Sequence, residues 1–251
     1  MVLLQKLMSS AAYQDEVIIL KVKDWQTADK YAVCFSRAHG KIAFIAYGAR
    51  YARTTGGRLI QPFAQLEGQF FAGKRLDSLK NCELLAQPQP LDIKQMAYAS
   101  VIAEVTEALT EEHEPQEEVY ELLVNSIKIL ARNNPRLVAL AALCKLLVLT
   151  GFAPVCNVCV NCGKDAAGPA YFSVVQGGLI CDACHGGEEL VFDSGTQKLL
   201  QELLALNFSD PQPFTVRGGD LMQLEQIIYR FIVYQIEKPL KSLSFLAQLG
   251  L

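Results

Sequence analysis

Long apolar runs are missing from this sequence, and so are most of the residue patterns that enzymes use. The most apolar stretch, Leu137 to Leu149, is interrupted by Lys145 and is too short to cross a bilayer, so it reads as a buried helix. The opening MVLLQKLMSSAAYQDE has only a short apolar patch and no small-residue cleavage site after a long apolar core, so no secretory signal is expected. The expectation is a soluble, cytoplasmic protein with no membrane contact. Histidine is scarce: the three are His39, His113 and His185, and none has a catalytic neighbour in sequence. There is no Gly-rich phosphate loop, no dinucleotide fingerprint and no nucleophile elbow. Carboxylates distant in sequence could still converge, but nothing singles any out. Catalysis is therefore the minor reading.

What is present is enough to build a core. The chain has 251 residues, of which 51% are apolar, which suits one large domain or two modest ones. Its net charge of −3 argues weakly against a nucleic-acid partner until the charge is divided along the chain. Residues 1–80 hold 12 Lys and Arg against 6 Asp and Glu, whereas residues 81–251 hold 11 against 20. A basic first third and an acidic remainder suggest that one part meets a polyanion while the other packs or meets proteins. Chance asymmetry of solvated charge explains the split about as well.

The apolar pattern changes near residue 88. Before it come short strand-like runs bounded by turns: Val17 to Val22, Lys30 to Ser36, Lys41 to Tyr47, Phe63 to Phe71 and Leu79 to Leu85. Arg37-Ala38-His39-Gly40 makes a tight connection between the second and third. Five such strands fit a small barrel such as the OB-fold, although strand count alone does not separate it from an SH3-like barrel. After Gln87-Pro88-Gln89-Pro90 the period becomes helical. Ile93, Met96, Ala97, Val101, Ile102 and Val105 share one helical face, and Val119, Leu122, Leu123, Ile127 and Leu130 continue after Pro115. Asn133-Asn134-Pro135 breaks the chain before the helix from Arg136 to Leu149, which Gly151 closes. Ser194 and Asp220 are candidate N-caps for helices reaching about Leu206 and Glu237. The acidic run Glu111-Glu112-His113-Glu114 with Glu117-Glu118 reads as a solvated helix junction. The expected fold is thus α+β and multidomain: an OB-fold barrel over 1–85, then a helical domain over 86–251 with a zinc-ribbon-like module at 152–190.

Cysteine spacing gives the sharpest chemical signal. Cys156-x-x-Cys159-x-x-Cys162-Gly163 is followed, eighteen residues later, by Cys181-x-x-Cys184. Two Cys-x-x-Cys turns at this separation can each aim two thiolates at one metal and together complete a tetrahedron. Tyr171 to Val175 and Gly178 to Ile180, divided by Gly177, look like the hairpin joining them. Five cysteines compete for four places. Gly163 suits the turn backbone and favours Cys159 and Cys162, with Cys181 and Cys184 as the second pair, leaving Cys156 and His185 as bystanders or substitutes. Disulfides are not expected without export. A redox pair would need only one motif, near a βαβ unit that is absent. Paired turns favour zinc over an iron–sulfur cluster. Four thiolates leave no place for water, so one structural Zn2+ per chain is expected rather than a catalytic one. Cys34, Cys82 and Cys144 sit in apolar contexts and read as core.

Taken in order, these features resemble the bacterial recombination mediator family RecO. The likeness runs through Gly48-Ala49-Arg50 with Arg53, Leu59-Ile60-Gln61-Pro62-Phe63, Gly151-Phe152, the Cys159-x-x-Cys162-Gly163 knuckle, Gly177-Gly178, Cys181-x-x-Cys184 and Lys238-Pro239-Leu240-Lys241-Ser242. Cys156 departs from the pattern. The resemblance implies an OB-fold, a helical domain with an inserted zinc module, and a cytoplasmic, nucleoid-associated protein without enzymatic activity. It implies binding to single- and double-stranded DNA, strand annealing, and recombinase loading with a RecR-type mediator onto DNA coated by single-strand-binding protein.

A barrel of this kind would bind DNA by combining a cationic groove with aromatic stacking. Arg37, Lys41, Arg50, Arg53, Arg58, Lys74 and Arg75 are the candidate cations, and Tyr47 and Tyr51 candidate stacking residues, Tyr47 being as readily core. The resemblance also implies a receptor for the acidic, apolar-tipped tail of single-strand-binding protein. Arg132 and Arg136 flank the Asn133-Asn134-Pro135 break and are the candidate cations for it. The bland alternative pairs Arg136 with a local acid such as Glu118. Two rival classes remain: a zinc-ribbon adaptor that does not touch nucleic acid, and a nucleic-acid-processing enzyme.

Overall fold

The computed structural model describes residues 12–51, 55–87, 90–165, 170–209 and 215–251. Two compact units emerge: one takes in the chain as far as Gln89 together with Thr110–Tyr120, the other Pro90–Leu109 and Glu121–Leu251.

The first unit is a closed barrel. Its strands are β1 (Ala12–Trp25), β2 (Asp29–Ser36), β3 (Gly40–Ala46), β4 (Gln65–Phe71) and β5 (Asp77–Leu84), with a short helix α1 (Thr55–Leu59) between β3 and β4. The order around the barrel is β1-β2-β3-β5-β4, closed by β1 against β4. All pairings are antiparallel except the short parallel seam of β3 with β5, at Phe44↔Asp77 and Ile45↔Ser78. This five-stranded Greek-key arrangement is the OB-type barrel. β1 can serve two neighbours because its register with β2 shifts between Ile19 and Lys21, a bulge that bends the strand. Alternation does the rest: Val17, Ile19, Ala32, Cys34, Ile42, Phe44, Leu66 and Phe70 point inward and fill the barrel. The β2–β3 hairpin turns at Gly40, where φ is +67° and an added Cβ would lie 2.0 Å from the Glu114 carbonyl oxygen. Only glycine meets both demands there.

The Glu111–Glu118 run is more than a solvated junction. His113 N donates to Lys41 O at 3.0 Å, and Glu117 accepts from Arg37 Nη1 at 2.7 Å. The Thr110–Tyr120 segment is thereby fastened to the β2–β3 hairpin.

The second unit contains α2 (Ile93–Leu109), most of α3 (Glu117–Leu130), α4 (Pro135–Leu149), α5 (Ser194–Ala205), α6 (Gly218–Ile236) and α7 (Lys241–Gln248). Packing centres on α2 and α4, which touch each other and α6. Both are buried around most of their circumference, α4 from Val138 to Cys144 without a gap. The single face expected for α2 is corrected accordingly: Ile93 is 62% exposed and Met96 is also exposed, whereas Tyr98 and Ala99, off that face, are buried. Helix ends follow side-chain chemistry. Asp92 and Gln95 form a reciprocal capping box for α2, at 2.9 and 2.8 Å. Asn134 Oδ1 accepts from Arg136 N at 3.1 Å with Pro135 in the first turn of α4. Asp193, not Ser194, caps α5. Arg217, not Asp220, holds the N-cap position of α6, and Glu237 ends it in the left-handed region. No described helix is long and apolar enough to cross a membrane.

Between α4 and α5 lies a small three-stranded sheet in the order β7-β6-β8, formed by β6 (Ala170–Ser173), β7 (Gly178–Cys181) and β8 (Leu190–Val191). Phe172 of β6 packs edge-on against Phe192 and against Phe231 of α6, at 5.9 and 5.7 Å between ring centres. The sheet is thus anchored in the helical core.

Candidate metal centre and nucleic-acid surface

Cys159, Cys162, Cys181 and Cys184 converge, with their sulfurs all within 4.8 Å of one another. Each pair is placed by a turn. Gly163 N donates to Cys159 O at 2.8 Å and Gly163 takes φ +72°, closing the first turn as only glycine does without strain. The second begins at the end of β7 and runs through a 3-10 turn over Asp182–Cys184. The two are sewn together by backbone: Val160 N donates to Leu179 O at 2.9 Å, and Leu179 N to Val155 O at 2.8 Å. Gly178 makes this seam possible, since a Cβ there would lie 2.7 Å from Val155 O and 2.6 Å from Val160 Cγ1.

The donor set fits a cation. Cys162 and Cys181 sulfurs stand 3.8 Å apart, the spacing of two thiolates held tetrahedrally at about 2.3 Å from one ion. Backbone N–H groups of Cys181, Cys162 and Asn161 bring the Cys159 thiol down to about 6, so it ionises readily. Cys184 is pushed up to about 12 by its hydrogen bonds to the sulfurs of Cys181 and Cys162, by desolvation and by the neighbouring Cys159. Cys156 lies outside the group, and burial raises its thiol to about 12. His185 is held elsewhere: its ring stacks on Tyr171 at 3.6 Å, and Nδ1 lies 2.7 Å from the Glu189 carboxylate. Cys34, Cys82 and Cys144 are buried in the two cores.

The cationic candidates of the barrel fall into two groups. Arg37 pairs with Glu16 at 2.9 Å and with Glu117, and its guanidinium lies 4.7 Å above the Tyr120 ring centre. Lys41 Nζ donates to Thr110 O. Arg50 donates to the carbonyls of Gln26 and Thr27 at 3.0 and 3.1 Å and pairs with Asp24 at 3.2 Å. Arg58, in the last turn of α1, is exposed, as are Lys74 and Arg75 in the β4–β5 loop. Arg53 lies outside the described residues. Tyr47 and Tyr51 are 72% and 48% exposed, so Tyr47 is not core. Sequence reasoning missed Trp25, at the end of β1 and 42% exposed. The only available signal was a lone tryptophan directly before a turn.

On the helical unit, Arg136 and Arg132 part company. Arg136 lines an open groove of about 620 Å³ together with Met222, Glu225, Tyr229, Leu246 and Leu251. Arg132 is exposed and does not line it. Arg136 Nε donates to Glu225 Oε2 at 2.8 Å, and Tyr229 donates to the other carboxylate oxygen at 3.0 Å. The acid beside Arg136 is therefore Glu225, 89 residues away, rather than Glu118.

An OB-type barrel joined to a helical unit that carries a cluster of four cysteines able to hold a metal ion is the class of protein these features define. The chain belongs to the recombination protein O family of DNA repair proteins: the family's "Recombination protein O N terminal" profile matches residues 8–88 and its "Recombination protein O C terminal" profile residues 90–244. It is 30% identical over 242 residues to the DNA repair protein RecO of Pelotomaculum thermopropionicum, covering 95% of this chain and 94% of that protein. The RecO of Symbiobacterium thermophilum is 31% identical over 245 residues, covering 94% and 97%. That of Bifidobacterium longum is 31% identical over 248 residues, covering 93% and 98%.

Proposed function

We propose that this chain is a non-enzymatic DNA-binding mediator: its barrel binds single- and double-stranded DNA, promotes annealing of complementary strands, and helps load recombinase onto protein-coated single strands alongside a RecR-type partner. The observation that carries this reading is the barrel's surface. Arg58, Lys74 and Arg75 are exposed on or beside loops of a Greek-key barrel that also exposes Trp25, Tyr47 and Tyr51, in the basic third of an otherwise acidic chain. Arg53 belongs to the same set by sequence. Annealing asks only that phosphate repulsion be neutralised and bases left accessible, so no catalytic group is needed.

The metal is zinc in this reading, held by Cys159, Cys162, Cys181 and Cys184. When bound, it fixes the knuckle against the β6–β7 hairpin, and its contribution is structural. The groove at Arg136 receives the acidic tail of single-strand-binding protein: Arg136 supplies a cation and Met222, Leu246 and Leu251 an apolar lining.

A salt-titrated binding assay with single-stranded DNA tests the central claim. Affinity should fall steeply with salt, and each of Arg58→Ala, Lys74→Ala and Arg75→Ala should reduce the slope of log K against log salt by about 0.7. Absence of binding at low salt would leave a zinc-ribbon adaptor as the better reading.

A further inference from the structure

Trp25 is the chain's one tryptophan, and it ends β1 at the edge of the barrel rather than inside it. Its neighbours on the same outer surface are aromatic. Ala32 and Cys34 of β2 and Phe44 and Ala46 of β3 point inward. By alternation Tyr31 points away from this interior, as does Ile45 opposite it on β3, although Ile45 is buried. The Trp25 and Tyr31 ring centres are 5.9 Å apart, with the planes tilted by 35°. Trp25 and Tyr31 thus lie side by side on β1 and β2, and Tyr47, 72% exposed, stands in the turn directly after β3, in the region where barrels of this type accept oligonucleotides.

Two turns adjoin these aromatics, and one arginine ties them together. Gln26 begins the β1–β2 turn with φ +48°, a conformation few side chains adopt, which keeps the turn tight. The Arg50 guanidinium donates to the Gln26 and Thr27 carbonyls and pairs with Asp24, next to Trp25. Arg50 N donates to Ala28 O at 2.9 Å, and Gly48 N to Asp29 Oδ1 at 2.9 Å. The segment carrying Tyr47 and Tyr51 is thus fixed to the turn carrying Trp25. Arg50's donors are aimed at protein oxygens, whereas Arg58, Lys74 and Arg75 have no such partner among the described residues.

We infer that Trp25 and Tyr47 are a base-stacking platform for single-stranded nucleic acid, and that Arg50 is the positioning residue that holds the platform rather than a phosphate contact. This rests on the barrel being the nucleic-acid site. Large π faces left exposed on a barrel in the basic part of the chain match unpaired bases on a polyanion. In a duplex the bases already stack on one another, so the platform selects single strands.

The test uses the full chain, titrated with end-labelled oligothymidine and with a blunt duplex, following label anisotropy and Trp25 emission together. Emission should be quenched along the same isotherm as the anisotropy change for the single strand, and not for the duplex. Trp25→Ala and Tyr47→Ala should each weaken single-strand binding roughly tenfold without changing the salt slope, while Trp25→Phe retains most of it. Arg50→Ala should weaken it with the slope unchanged and make Trp25 more accessible to acrylamide. Melting curves confirm that each variant is folded. Tight single-strand binding with unaltered emission and an undiminished Trp25→Ala variant overturns the platform and leaves the barrel reading standing. A slope lowered by about 0.7 in Arg50→Ala overturns the positioning role. No anisotropy change with either DNA overturns the barrel reading itself.

Discussion

Arg136 is a cation already answered by a carboxylate of its own chain. Its hydrogen bonds to Glu225 raise the guanidinium pKa further, so no accessible pH discharges it. Any acidic peptide entering the groove must share or displace Glu225, which Tyr229 also holds. Glu225→Gln should therefore tighten binding of an acidic tail peptide several-fold, measured by calorimetry, at a stability cost of about 1–2 kcal/mol because the pair is only partly exposed. Arg136→Glu should abolish peptide binding while DNA affinity is kept; unaltered peptide affinity in both variants would place the receptor elsewhere. The candidate cation was legible in the sequence because it opens a helix after an Asn-Pro break. Its partner was not, since local patterning carries no information about an acid on α6. Trp25 escaped notice for a related reason: one aromatic at a strand end reads equally well as buried or exposed until the barrel closes.

Among the elements, the seam between the knuckle and the β6–β7 hairpin leaves no room for a side chain at Gly178. Gly178→Ala would drive a methyl group into Val155 O and Val160, and the backbone atom cannot move aside cheaply. The expected cost is about 1–3 kcal/mol, with faster metal release to a chelator; a variant that melts and releases metal like the parent would show the seam to be pliable. This module was readable in advance because its ligands lie close in sequence and spacing alone constrains the turns. The strands were legible too, from alternation bounded by turns. Helices α2 and α4 were legible as helices, and α4 as a buried one, but the buried face of α2 was not. A helix wrapped on most sides has no polar stripe to mark an outward face, so a face drawn through Ile93 and Met96 was as consistent with periodicity as the one observed. Cap identities slipped by one to three residues where several capping residues compete, as at Asp193 and Ser194.

For the whole molecule, the four-cysteine group belongs to one unit and the proposed DNA surface to the other. The four cysteines sit in the helical unit, whereas the barrel has a separate apolar interior. Stripping the metal, or replacing Cys159 and Cys162 together by Ser, should lower the melting temperature of the helical unit, while oligothymidine binding at moderate temperature persists. Cys156→Ser should leave metal content unchanged by elemental analysis. Loss of metal in Cys156→Ser with retention in Cys159→Ser would reverse the ligand assignment.

The segment from Thr110 to Tyr120 returns to the barrel after the chain has already left it, so the barrel is not a contiguous stretch of sequence. A single cut near residue 89 would release a fragment lacking one of its own parts. It would lay bare the notch at Gly40, remove Thr110 O from the Lys41 ammonium and strip Arg37 of Glu117. Such a fragment would be more cationic than the barrel is in the intact chain, because it loses the carboxylates of Glu111, Glu112, Glu114, Glu117 and Glu118. Its grip on DNA would then partly report a severed tether, and the family's two-profile boundary at 88–90 is a poor guide to where the molecule can be divided.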